Sequence, residues 1–289
     1  MKQRTILACV TLIFAASFGY AETRYPIVFA HGVIASAKIL SFQPVAKHLR
    51  QQGFEVYVPE VSAFNSVEHR ANQLAPQIDQ ILKISGSPRV NIIAHSMGGL
   101  DSRYLISTMK YGDRVASLST VSTPHYGTSV TDVIFRDLKN DYPFEGKFLL
   151  GLIGSVTTVY NKSTKRSTVS VMEALQSMAP SYVRDTFNPN NPDDAQVYYQ
   201  SWGAETSLDG DPDLVNPALL TSYKDIWRLE GANDGLVPVS SMPWGNFRGV
   251  LPADHLDEVG LLRKLSASPD FNYLEFYEQM AAELESKGY

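Results

Sequence analysis

The sequence predicts an α/β fold, with a mostly parallel central sheet covered by helices on both faces. Three observations predict it. Short β-branched and aromatic runs alternate with stretches of helical period, the pattern of parallel strands joined by crossover helices. At 289 residues, with no repeat and no low-complexity tract, the chain suits one large domain. One strand-like run ends abruptly at His95-Ser96, and a helical pattern follows two glycines later.

The elements follow in order. Tyr25 to Ala30 reads as a buried strand ending at His31-Gly32. Ala46 to Gln52 reads as a helix stopped by Gly53, and Glu55 to Val58 as a second strand. Asn72 to Ile84 puts Leu74, Ile78, Ile81 and Leu82 on one helical face. Val90 to Ala94 is the third strand, Leu100 to Lys110 a helix, and Ala116 to Val121 the fourth strand. The alternation then stops. Residues from about Thr131 to Gln200 form a long insertion with one apolar stretch, Phe148 to Val156. Asp225 to Leu229 reads as a further strand. Tyr273 to Ser286 closes the chain as an amphipathic helix, with Leu274, Tyr277, Met280 and Leu284 inward.

The first 21 residues read as a secretory signal. Lys2 and Arg4 precede an apolar stretch, Ile6 to Phe18, and Gly19-Tyr20-Ala21 offers small residues for cleavage. The stretch is short for a membrane span. Cleavage would leave a domain of residues 22–289 and remove Cys9, the sole cysteine, so an exported chain would carry no disulfide. The net charge of −5 and the lack of a basic block argue against nucleic acid as a partner.

The corner Ala94-His95-Ser96-Met97-Gly98 has a chemical reading. A strand turning sharply into a helix holds one side chain proud of the sheet, and small residues two before and two after it relieve the crowding. Alanine stands at the first of these positions. The plainer alternative is Ser96 as a helix N-cap. A nucleophilic serine needs a base, and in this arrangement serine, acid and histidine follow in that order along the chain. Of six histidines only His125 and His255 follow Ser96, and His125 leaves little room for an acid between. His255 is the candidate base, unless it is a surface-loop histidine. Asp234 in "EGANDGLVP" is the candidate acid, or a turn residue before Gly235. Asp213 is farther upstream and Asp254 adjoins His255. Backbone donors for a tetrahedral oxyanion are expected from Met97 and from Val33 in "AHGVIAS".

Together these segments resemble the bacterial triacylglycerol lipases of the Pseudomonas/Burkholderia type (family I). The similar stretches are "YPIVFAHGV", "VSAFNSVEHRANQL", "NIIAHSMGGLDSRYL", "VSTPHYGTS", "YYQSWGAET", "GANDGLV" and "HLDEVG". The resemblance implies the α/β-hydrolase fold with a helical lid insertion, a Ser96-Asp234-His255 triad, and oxyanion amides at Val33 and Met97. It implies a structural calcium held by Asp213, Asp257 and the carbonyls of Leu261 and Leu265, with Asp211 competing for Asp213's place. The bland reading puts Asp213 in an acidic surface loop and Asp257 at a helix cap. Gly260-Leu261 stands where the family commonly has Asn-Gln. The disulfide of many members is missing, and a lipase-specific folding chaperone stays a candidate partner. Val133 to Tyr160 is the candidate lid, with a static cap helix as its alternative.

The expected function is secretion through the periplasm and hydrolysis of triacylglycerol esters at an oil–water interface, with no stable membrane span. A short-chain carboxylesterase, a phospholipid acyl hydrolase and an acyltransferase would use the same triad. A non-catalytic lipid-binding relative would be expected to lack one of its members.

Overall fold

The computed structural model describes residues 23–33, 42–139, 171–209, 214–261 and 271–289. The expectations for residues 1–21, for most of the lid candidate, and for Asp211, Asp213 and Leu265 lie outside the described residues.

Among the described residues, six strands form one parallel sheet in the order β2-β1-β3-β4-β5-β6. They are β1 (Ile27–Ala30), β2 (Val56–Tyr57), β3 (Val90–His95), β4 (Val115–Val121), β5 (Tyr198–Glu205) and β6 (Asn246–Pro252). The helices are α1 (Gln43–Gln51), α2 (Val67–Ser85), α3 (Met97–Ser107), α4 (Val130–Lys139), α5 (Val171–Ser177), α6 (Leu220–Glu230) and α7 (Tyr273–Ser286), with short helical turns over Pro180–Tyr182, Val183–Phe187 and Asn188–Asn190.

Side chains alternate across a strand, so each strand feeds two cores. Ile27, Phe29, Ile93 and Val121 pack on one face against Phe42, Val45 and Leu49 at α1 and Tyr277, Met280 and Leu284 of α7. Val28, Ala30, Ile92, Ala94 and Leu118 pack on the other against Leu74 and Ile78 of α2 and Leu105 of α3. Phe29 stacks on Phe42 at 4.4 Å and meets Tyr277 edge-on at 5.7 Å. Both faces of β3 are dry, which holds its carboxyl end rigid.

Helix starts lie earlier than the apolar period indicates, because caps set the first turn. Ser66 accepts the His69 N–H at 3.2 Å and starts α2 at Val67. Pro44 sits in the first turn of α1.

The expected strand at Asp225 to Leu229 is wrong: these residues belong to α6. Leu219, Tyr223 and Ile226 are buried at helical spacing, while Trp227 and Leu229 are half exposed or more. A five-residue window is too short to reveal that period. β5 and β6 supply the strands instead. β5 lies at the end of the expected insertion, pairs with β4 and carries buried Gln200 and Ser201.

Phe29→Ala removes the ring at the centre of the first core and is expected to cost about 3–5 kcal/mol, read as a fall in the denaturation midpoint. A loss below about 1 kcal/mol would show that this core is not tightly packed.

Candidate active site

Ser96 stands where β3 becomes α3, with φ 56° and ψ −133°. A non-glycine residue held there costs on the order of 1–3 kcal/mol and persists only where its surroundings over-determine it. They do so here. The Ser96 N–H donates to Val121 O at 2.9 Å, and the Thr123 hydroxyl donates to Ser96 O at 2.8 Å. Gly98 passes so close to β1 that a Cβ on it would lie 2.3 Å from Ala30 O. A Cβ on Gly32 would lie 2.6 Å from the Cβ of Ser96. Ala94 is tolerated at the first small position because it points into the second core and faces Ala30 in register. Ser96 occupies the N-cap position, yet its hydroxyl makes no capping bond.

His255 follows β6 and Asp234 follows α6. The His255 Nδ1 lies 2.7 Å from Asp234 Oδ2. The other oxygen, Oδ1, accepts the N–H groups of Leu236 and Val237, both at 2.8 Å, and Asp234 is fully buried. An ionised carboxylate only accepts, so Nδ1 carries the ring proton and Nε2 keeps its lone pair. The imidazole packs 4.5 Å from the ring of His95, the residue before Ser96. The structure thus brings Ser96, His255 and Asp234 to one end of the sheet, at strand carboxyl ends, where ligands bind in open α/β sheets. Asp254 does different work. Its carboxylate accepts the N–H groups of Leu256, Asp257 and Asn216 and holds the histidine loop.

Glu258 is a member of this cluster that sequence reasoning missed. It is fully buried, with one oxygen 2.8 Å from His95 Nε2 and the other accepting the Ser122 hydroxyl at 2.8 Å. Burial, and then the Asp234 charge, push its carboxyl well above the ordinary range, which favours the protonated acid. Burial, and then the neighbouring His255, hold His95 well below its ordinary range. Both shifts favour a hydrogen bond between neutral groups over an ion pair at this contact. Ser122, at the end of β4, also has positive φ, 47°. That second strained serine is visible only in three dimensions.

Val33 and Ser96 line a small apolar cavity of about 40 Å³, walled by Phe64, Ile134, Leu175 and Met178 among others. Met97 opens α3, and the first N–H groups of a helix have no partner within it. The described start of the lid candidate, from Val133, belongs to α4, whose Ile134 packs with Leu175 and Ile226.

Of the expected calcium ligands, Asp257 and Leu261 are described. Asp257 is a buried carboxylate two residues after His255, on a short turn. Asp257 thus places one buried carboxylate there, an oxygen donor of the kind calcium takes.

The chain matches the family with the alpha/beta hydrolase fold over residues 25–220 and belongs to it. Within that fold it resembles the triacylglycerol lipases. It is 28% identical to a triacylglycerol lipase of Vibrio cholerae, over 93% of this chain and 90% of that protein. It is 32% identical to triacylglycerol lipase 2 of Saccharomyces cerevisiae, over 85% of this chain and 73% of that one. A Burkholderia plantarii triacylglycerol lipase is 27% identical over 84% and 81%. Among solved structures, a metagenomic carboxyl esterase superposes with a TM-score of 0.70 at 17% identity, covering 92% of this chain and 76% of its own. Staphylococcus hyicus lipase does so with 0.66 at 16%, over 93% and 98%. These two share the fold. No described helix is long and apolar enough to cross a membrane.

A neutral Glu258 is testable. Glu258→Gln keeps an uncharged group of the same shape and is expected to stay within about 1 kcal/mol of wild type. Glu258→Ala leaves a cavity and strands His95 and Ser122, at a cost of about 2–4 kcal/mol. Equal losses in a denaturant titration would refute the protonated acid.

Proposed function

We propose that the protein is a secreted triacylglycerol lipase that cleaves esters through an acyl-enzyme on Ser96. The observation that carries this reading is the 2.7 Å His255–Asp234 pair, its acid clamped by two amides, with the His255 ring packed on His95, the residue before the serine of the strained strand-to-helix corner.

His255 Nε2 takes the Ser96 proton as Oγ attacks the ester carbonyl. The Val33 and Met97 N–H groups stabilise the oxyanion. Asp234 holds the imidazole in the productive tautomer and stabilises the imidazolium. His255 then protonates the leaving alcohol, and water, activated by the same nitrogen, releases the fatty acid. The apolar walls beside Ser96, Phe64, Ile134, Leu175 and Met178, favour an acyl chain over a polar substituent. The names of the curated relatives support triacylglycerol as substrate.

The proposal includes export directed by residues 1–21. It also includes a structural calcium on Asp213, Asp257, Leu261 and Leu265. When bound there, the ion would tie down the loop that carries His255.

Hydrolysis of p-nitrophenyl esters and emulsified triolein by wild type and Ser96→Ala, with calcium and with EDTA, tests the reading. Ser96→Ala is expected to lose about 10⁴-fold or more in kcat while staying folded. EDTA is expected to lower the melting temperature and the triolein rate together. Retained turnover in Ser96→Ala would overturn the nucleophile. Wild-type activity confined to short soluble esters would make the protein an esterase.

A further inference from the structure

The stretch "VSAFNSVEHRANQL" gives only Phe64 to the site described above, yet it also supplies a fully buried arginine. Arg70 of α2 uses all three guanidinium nitrogens. Its Nε donates to Asp101 Oδ2 at 2.8 Å, one Nη to Ser62 O, and the other Nη to His31 O at 2.6 Å. Asp101 lies one helical turn after Met97 on α3, and His31 lies two residues before Val33. One rigid guanidinium therefore ties together the two segments that carry the proposed oxyanion donors.

The histidine completes the arrangement. His31 is buried, and its Nε2 faces the Val61 N–H at 3.3 Å while its Nδ1 faces Gly32 O at 2.9 Å. A main-chain N–H can only donate, so Nε2 is the acceptor and Nδ1 carries the proton given to Gly32 O. Burial, and then the Arg70 charge, lower the ring's pKa to about 3, so this neutral tautomer persists across the working pH range. In a planar trans peptide the carbonyl and the following N–H point in opposite directions. With Gly32 C=O turned to the His31 ring, the Val33 N–H faces away from it. Gly32 has no side chain to intervene and lies against Ser96, and Val33 and Ser96 share one cavity wall.

We propose that His31 and Arg70 are positioning residues that set the Gly32–Val33 peptide, so that its N–H is directed at the oxyanion formed beside Ser96. This rests on the acyl-enzyme reading above. Turned over, the same peptide would present a carbonyl to the oxyanion. The effect therefore falls on the transition state and on kcat, with KM little changed.

The test uses the purified full-length protein, a short soluble p-nitrophenyl ester, and the rate of Ser96 phosphonylation by a fluorophosphonate. His31→Phe keeps a buried ring but donates nothing to Gly32 O. It is expected to lose about 10²-fold in kcat and in phosphonylation rate, the value of one oxyanion donor, with KM within about threefold. His31→Asn offers an N–H where Nδ1 stood and an oxygen beside it, and it is expected to recover most of the loss. The decrement is expected to be the same at every pH from about 6 to 9, because His31 is neutral throughout. If His31→Phe fails to fold, Arg70→Lys carries the test. It keeps a buried cation beside Asp101, loses the fork that reaches His31 O, and is expected to lower kcat about tenfold. A folded His31→Phe or Arg70→Lys with wild-type kcat would overturn the proposal. So would a loss confined to KM, or a decrement that shifts with pH. Wild-type protein that resists the fluorophosphonate would instead defeat the acyl-enzyme reading, so the two failures are distinguishable.

Discussion

The corner at Ser96 is the constraint on which the rest of the site depends. A positive φ on a serine is unfavourable by itself, and it survives because β3 is gripped from every side. β1 and β4 flank it in register, and both faces lie in dry cores. Ala30 O sits over Gly98, Val121 O receives the Ser96 N–H, and Thr123 bonds to Ser96 O. The small residues around the corner follow from these contacts, since added bulk would push β1 off β3. A side chain held so firmly loses little freedom when it meets a substrate, which is the basis of preorganised catalysis.

Beside the corner, four acidic residues, Asp234, Asp254, Asp257 and Glu258, are buried within a few ångströms of the histidine loop. Burying negative charge is costly unless each group is neutralised or bonded. Asp234 has two amides and His255, and Asp254 has three amides. Glu258, whose ionisation burial disfavours, joins His95 and Ser122. The same economy holds at the opposite wall, where a buried arginine meets one carboxylate and two backbone carbonyls.

Legibility in the sequence tracked how local each signal was. β1 and β3 were readable as largely apolar runs buried on both faces, and β4 from its place after a helical stretch with valine and leucine among its small residues. β5 was not, because Gln200 and Ser201 are buried polar residues satisfied across the sheet; Gln200 donates to Ser119 Oγ at 2.9 Å. β6 is a largely exposed edge strand containing Arg248, Gly249 and Pro252, and it shows no apolar period. The "DIWRL" stretch looked strand-like because its buried partners, Leu219 and Tyr223, lie upstream of it.

The candidate triad was legible because chain order leaves few choices once a serine is put on such a corner. The sequence by itself determined the fold class, the corner and the residue types available for acid and base chemistry, all properties of neighbouring residues or of their order. Only the tertiary structure decided which acid braces the histidine loop and which is buried against His95 and Ser122. It also decided that Arg70 reaches His31 and Asp101 at once. His95 and Glu258 are 163 residues apart and meet because the parallel strands β3 and β6 have their carboxyl ends at the same end of the sheet. A carboxylate's role is set by its neighbours and its dryness, and both come into being when the chain folds.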